Sequence, residues 1–227
     1  MKLILDGLRK SFLKKEVLKG VDFSFDVGKI YGILGRNGAG KTTLFNCINN
    51  DLDYEGSIYL EVDGKKVLLT PDDIGYTLAD SLVPEFLTGR EFLKFFLDIN
   101  KSKISDVKSV AEYFEMVGIS SDDMDKLLKD YSLGMKNKMQ LLVNIILDTR
   151  VLLFDEPLSS LDVVASEEMK KILKCLKKDH VLILSTHIME LAFDLCDEIV
   201  VLNHGCLRSV DGSKKSKEVI LEALKES

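Results

Sequence analysis

Gly35-Arg36-Asn37-Gly38-Ala39-Gly40-Lys41-Thr42 satisfies the phosphate-binding pattern G-x-x-x-x-G-K-[ST] at every required position. Before it, Lys29-Ile-Tyr-Gly-Ile-Leu34 reads as a short buried strand; after it, Thr42-Thr-Leu-Phe-Asn-Cys-Ile-Asn49 reads as the opening of a helix. The chemistry needs that strand, loop and helix in that order. Glycines allow tight turns and close backbone approach, so that successive N–H groups and the helix N-terminus face phosphate oxygens. Lys41 then reaches the outer phosphates and Thr42 offers a hydroxyl to Mg²⁺. The whole stretch from Gly35 to Thr43 is therefore expected to line a nucleoside triphosphate. Arg36 within it either adds charge near the nucleotide or faces solvent.

Length and composition bound the setting. A chain of 227 residues can hold one α/β domain with a full core, or at most two small domains. Hydrophobic residues make up 46% of it, yet they come in runs such as Val151-Leu-Leu-Phe154, far short of the roughly 18 needed to cross a bilayer. The apolar run at the N-terminus breaks at Asp6 and lacks a signal-peptide layout, so export of the chain is not expected. Cys47, Cys175, Cys196 and Cys206 show no C-x-x-C spacing and no matching histidine pair, which argues against zinc and fits a reducing compartment. A net charge of −6 speaks against electrostatically driven nucleic-acid binding.

Short alternating segments in the first 30 residues (Leu3-Ile-Leu5, Val17-Leu18, Val21-Asp-Phe-Ser-Phe25) predict antiparallel strands, joined by a hairpin turning at Asp63-Gly64. From Thr88 to Val117 the period becomes helical, with Phe92, Phe95, Phe96 and Ile99 on one face and Val107, Val110, Phe114 and Val117 on another. After residue 150, strands Val151–Phe154, Val181–Leu184 and Glu198–Leu202 alternate with helices at Ser166–Lys178 and Ile188–Cys196, which implies a parallel sheet with crossover helices. The last strand turns at Asn203-His204-Gly205, and Lys215–Lys225 reads as a terminal helix.

Val151-Leu-Leu-Phe-Asp-Glu-Pro157 ends a buried strand in two adjacent carboxylates. Asp155 can hold Mg²⁺ through its water shell. Glu156, one residue later and differently directed, can orient and deprotonate a water attacking the terminal phosphate. The competing reading, that the pair merely caps the next helix, loses weight beside the phosphate loop.

With these two elements in order, the chain resembles the ATP-binding cassette (ABC) ATPase family over essentially its full length. Tyr131-Ser-Leu-Gly-Met135 stands where that family has its signature, just before a helix at Lys136–Leu147; Ser159-Ser-Leu-Asp162 resembles its D-loop, and Ser185-Thr-His187 its switch histidine. Phe12 stands where the family places an aromatic that stacks on adenine. The resemblance implies an α/β fold: a P-loop NTPase core with a parallel sheet and an N-terminal antiparallel β subdomain (1–79 and 141–227), and an inserted α-helical subdomain at 80–140. It also implies ATP and Mg²⁺ as cofactors, and two ATPase subunits, alike or different, facing head to tail. ATP would sit between the loop of one and Ser132 and Gly134 of the other. Asp162 would link the two sites, and His187 would contact the terminal phosphate.

Such a subunit is expected to sit at the inner face of the membrane, driving an integral membrane permease docked on the helical insert around residues 81–96. The signature form YSLGMK resembles bacterial exporters of drugs, lipids or antimicrobial peptides. The alternative is a soluble ATPase of the same fold acting on a non-transport macromolecule. Two departures stand out. The signature has Leu133 and Met135 where Gly and Gln are commonest, although Ser132 and Gly134 keep the phosphate donors. Ala79 occupies the place of the family's glutamine, and a methyl cannot replace an amide, so Asp80 or water takes that role or coupling is weakened.

Overall fold

The computed structural model describes residues 1–13, 15–78, 83–104, 106–159, 161–210 and 217–225. The expectations that fall on Ala79, Asp80, Ser81, Ser160 and the start of the terminal helix lie outside the described residues.

Two long strands open the chain, β1 (Lys2–Phe12) and β2 (Lys15–Asp26), paired antiparallel from Lys2 opposite Asp26 to Phe12 opposite Lys15. Both outrun the segments that alternation marks, because the register slips inside the hairpin. Leu3 and Leu5 are buried, but the next buried residue is Leu8, one position out of phase. The slip falls at Gly7, whose φ of 62° is the left-handed region that glycine adopts without strain at a bulge. β3 (Ile30–Leu34) leads into α1 (Lys41–Ile48), and β4 (Glu55–Val62) with β5 (Lys65–Leu68) forms the expected hairpin. The antiparallel sheet runs β2-β1-β4-β5.

The chain then enters the second sheet through β6 (Ile74–Thr77), a strand too short for alternation to mark. The helical insert follows with α2 (Gly89–Ile99) and α3 (Val110–Met116), and α4 (Leu133–Leu147) returns to the core. From there β7 (Val151–Asp155), α5 (Val163–Leu176), β8 (Val181–Thr186), α6 (Met189–Leu195), β9 (Glu198–Asn203), β10 (Cys206–Val210) and α7 (Lys217–Lys225) complete the fold. The six-stranded order is β10-β9-β3-β8-β7-β6; all pairs are parallel except β9 with β10, which turns back at residues 203–206.

Alternation along the parallel strands divides the core in two. Ile33, Leu153, Ile183 and Val200 face the antiparallel sheet and α1, whereas Leu34, Leu152, Leu182 and Ile199 face α5, α6 and α7. A third cluster belongs to the helical insert, with Leu93, Phe114, Leu128 and Tyr131 at its centre. α4 serves both sides of the junction: Leu141 packs into the sheet's core while Met139, Leu142 and Ile146 pack into the insert.

The insert departs from its predicted faces in two ways. α2 turns Leu93 fully inward and half-buries Phe92 and Phe96, leaving Phe95 58% and Ile99 60% exposed, so its contact stripe is narrower than its apolar surface. Val107 precedes α3 and is exposed. α3 begins where Ser109 and Glu112 make a reciprocal cap: the Ser109 hydroxyl accepts from the Glu112 N–H, and the Glu112 carboxylate accepts from the Ser109 N–H.

Candidate functional site

The parallel register brings the ends of three strands together. Leu34 of β3 lies opposite Thr186 of β8, and Asp155 of β7 lies opposite Ser185. Such carboxyl ends are where open α/β sheets place their ligands. The loop between β3 and α1 rises here. Gly40 caps α1 at φ 107°, and a methyl group built on it would lie 2.8 Å from Val17 Cγ1 of β2. The loop can therefore sit this close to the hairpin only with glycine at that position.

Lys41, the first residue of α1, is 7% exposed; its ammonium donates to the Gly35 carbonyl (2.8 Å) and lies 3.6 Å from Glu156 Oε1. Thr42 Oγ1 donates to Asp155 Oδ2 at 2.7 Å, across 113 residues of sequence. The other oxygen of Asp155 accepts from the Ser185 hydroxyl (2.5 Å), which itself accepts from the Glu156 N–H at 3.0 Å. Ser185 is fully buried and ties both carboxylate residues to β8, a position that the sequence reading passed over beside His187. Its signal was a polar side chain where the apolar run of β8 stops.

Glu156 has a φ of 51°, which turns its side chain off the strand toward Lys41 and His187. His187 Nδ1 lies 3.0 Å from Glu156 Oε1, while Oε2 is buried with no hydrogen-bond partner among the described residues. Ser159 fixes the loop below by donating its hydroxyl to the Glu156 carbonyl (2.7 Å). The phenol of Tyr76, on β6, is pushed well above the ordinary tyrosine value, first by burial and then by the Asp155 carboxylate, so it stands beside the acidic pair as a neutral group.

A cleft of about 500 Å³ opens over Lys41, Thr42, Asp155 and Glu156, with His187 outside its described wall. Residues 36–38 and 40–43 line it together with Asp155 and Glu156, while Phe12, Lys15 and Val17 of the hairpin form the opposite wall. Phe12 is 44% exposed and carries the Lys10 ammonium 5.0 Å from its ring centroid. Lys15 and Val17 are wall residues that no motif announced. Arg36 is exposed at the rim. Gly35 lies behind the cleft, and Ala39 faces a neighbouring groove that it shares with His204 and Gly205.

Ser132, Gly134 and Asp162 lie elsewhere. None belongs to the described wall of the cleft; all three line a hollow of about 210 Å³ between the starts of α4 and α5. Ser132 caps α4 by accepting from the Met135 N–H (3.2 Å), and Asp162 caps α5 by accepting from the Ala165 N–H (2.9 Å). These caps start both helices three residues earlier than the sequence periodicity suggests.

The cleft can take a triphosphate. A helix N-terminus, an ammonium and loop N–H groups are available to phosphates; a carboxylate turned toward that ammonium can accept a proton from water. Thr42 and Asp155 supply hard oxygen donors side by side, the set that suits Mg²⁺ bound with phosphates and water.

Comparison with known proteins supports this reading. The family described as ABC transporter matches residues 18–159. An uncharacterized ABC transporter ATP-binding protein, MJ1023 of Methanocaldococcus jannaschii, is 34% identical over 207 residues, covering 90% of this chain and 75% of that one. The ribose import ATP-binding protein RbsA of Caldanaerobacter subterraneus is 28% identical over 222 residues, spanning 91% of this chain and 44% of that one. The structure of cbiO1 from Clostridium perfringens, described as part of the ABC transporter complex cbiONQ, superposes with a TM-score of 0.77 at 24% identity over 97% of this chain and 91% of that one. With the phosphate loop and acidic pair at one strand edge, these matches make the chain a member of the ABC transporter family, an ATP-binding subunit that hydrolyses ATP.

Proposed function

We propose that this subunit powers an integral membrane permease by binding MgATP between two ATPase chains and hydrolysing it there. The observation that carries the reading is the cluster of Lys41, Glu156 and His187 beside Thr42 and Asp155. In this mechanism the N–H groups of residues 36–38 and 40–43 and the Lys41 ammonium hold the phosphates and neutralise charge that builds on the outer oxygens. Thr42 and Asp155 hold Mg²⁺, which supplies further charge stabilisation when bound. Phe12 stacks on the adenine. Glu156 orients the attacking water and accepts its proton at a carboxylate oxygen, a step worth about 10²–10⁴ in rate. His187 holds that carboxylate through Nδ1 and offers its other nitrogen to the terminal phosphate.

Ser132 and Gly134 lie away from the cleft of their own chain, which favours a head-to-tail pair in which they meet the partner's ATP and Asp162 lies near the junction. No described helix is long and apolar enough to cross a membrane, so the transport path belongs to the permease, and the subunit sits peripherally on its inner face. The exposed Phe86, Phe95 and Ile99 of the insert form the docking surface. For direction, the form of the signature favours export of a drug, lipid or antimicrobial peptide; the import protein among the relatives keeps uptake as the competing outcome. We also treat residues 80–140 as one subdomain and the remainder as the other, with α4 crossing between them.

The test compares Glu156→Gln with the parent. Turnover should fall by about 10²–10⁴, while light scattering in MgATP should show a stable dimer. An active, monomeric variant would overturn the role given to Glu156. Tagged Glu156→Gln drawn from detergent-solubilised cells should bring a multi-span membrane protein in stoichiometric amount, and transport in vesicles by that membrane protein paired with the parent chain decides cargo and direction.

A further inference from the structure

We infer that Lys138 is a positioning residue that locks the start of α4 against α5, and that this register is what lets Ser132 and Gly134 engage the partner chain's ATP. The inference rests on the two-chain reading above.

The starts of the two helices meet at Gly134 and at Lys138, ahead of the apolar cluster that joins Leu141 of α4 with Met169 and Leu173 of α5. At the first, Gly134 packs on Ala165 so closely that a methyl at 134 would lie 3.0 Å from the Ala165 Cβ. One turn further along α4, the Lys138 ammonium donates to Glu168 Oε2 of α5 at 2.7 Å. Its side chain is 6% exposed against 48% for Glu168, so the lysine is buried and the glutamate stands at the surface. The same ammonium donates to the carbonyl of Gly118, just beyond α3, at 3.1 Å. A single charge thus ties the helical insert, the signature helix and the helix that begins at Asp162.

Its neighbours hold α4 from other sides. Lys136 pairs with Glu85 at 3.3 Å, and Asn137 donates to the carbonyl of Pro157, directly after the acidic pair, at 3.4 Å. Neither of these contacts spans from the insert to α5 as Lys138 does. Burying an ammonium is unfavourable unless its protons are bonded, and an apolar side chain of equal length would pack as well without that penalty. A buried ion pair is therefore poor evidence for stability. Here both bonds of the ammonium fix direction, and they do so in the wall of the hollow that also contains Ser132, Gly134 and Asp162.

The experiment uses the full chain carrying Glu156→Gln, with Lys138→Met, Lys138→Arg or Glu168→Gln added. Three quantities are read: MgATP affinity of the monomer, ATP-driven dimerisation by light scattering, and amide hydrogen exchange at residues 133–138. Lys138→Met should weaken dimerisation by about tenfold or more, the scale of a lost charge-assisted hydrogen bond. It should leave monomer affinity within about twofold and speed exchange at 133–138. Lys138→Arg should recover most of the dimerisation, and Glu168→Gln should fall between.

Parent-like dimerisation and exchange in Lys138→Met would overturn the proposal, as would a parallel loss of monomer affinity, which would indicate general loosening of the fold. Glu168→Gln leaves the buried stem in place and carries the test if Lys138→Met does not fold. If the Glu156→Gln chain without further change stays monomeric in MgATP, the two-chain reading falls by itself. Exchange at 133–138 then still decides whether Lys138 holds the signature turn.

Discussion

Ser185 touches more of the proposed chemistry than its silence in the sequence suggests. Its hydroxyl is shared between the Asp155 carboxylate and the Glu156 N–H, in a place with no access to water. Replacing it with alanine leaves a buried N–H and a buried carboxylate oxygen short of a partner, which costs about 1–3 kcal/mol. Ser185→Ala should lower stability by that amount in urea denaturation and, on the proposed roles of Asp155 and Glu156, should reduce kcat more than it raises KM. Unchanged kcat would show that Asp155 and Glu156 hold their geometry without it. Lys41, Thr42, Asp155 and Glu156 were legible as residues because each belongs to a short pattern with fixed spacing. Ser185 and Val17 were not, because a contact to a loop many residues away leaves no mark in the local order.

At the level of elements, capping side chains set helix starts that periodicity alone does not mark. Among the described residues, four helices begin at side-chain caps: Thr88 for α2, Ser109 for α3, Ser132 for α4 and Asp162 for α5. In α2 and α3 the cap is reciprocal. The Thr88 N–H and then its hydroxyl hold the Glu91 carboxyl below its ordinary value of 4.5, and the Ser109 hydroxyl and then its N–H do the same for Glu112. A depressed pKa in the fold means stabilisation that is present above the ordinary value and is lost as pH falls through the lowered one. The insert should accordingly lose helix on acidification from about pH 5 downward, visible in far-UV circular dichroism, and Glu91→Gln should flatten that dependence. A helix loss with the same pH profile in Glu91→Gln would assign the acid sensitivity elsewhere. The strands show a related effect. Bulges in the first hairpin shift the burial phase between Leu5 and Leu8, so a period-two reading found only fragments of two long strands.

For the whole molecule, the cleft over Lys41 and Asp155 and the apolar surface of the insert are built on different cores, the first on the parallel sheet and the second on α2 and α3. A substitution on the insert's surface should therefore separate docking from nucleotide binding. Phe95, 58% exposed, is the residue to change. Phe95→Glu should leave ATP affinity intact and remove the membrane partner from the detergent pull-down. Retention of the partner would move the docking surface elsewhere on the insert. α4 is the continuous element between the two parts, which is why its polar contacts, Lys138 above all, bear on how motion in one reaches the other.

The family, and with it ATP binding and hydrolysis, was legible in the sequence alone. The phosphate-loop pattern, the acidic pair and the segments that resemble a signature and a switch histidine are each short, and each derives its meaning from spacing along the chain, which folding does not alter. The alternating strands and helices after residue 150 likewise announced a parallel sheet, because apolar runs separated by helical periods have few other solutions. What the tertiary structure alone decided is which of these groups meet. It set Thr42 against Asp155 and His187 against Glu156 at strand ends that lie next to each other in the sheet, and it carried Phe12 across on a hairpin. It kept Ser132, Gly134 and Asp162 out of that cleft and buried Lys138 beside them. The physical reason is that sheet order and helix packing are fixed by the burial of faces, a property of the assembled core that local sequence spacing does not encode.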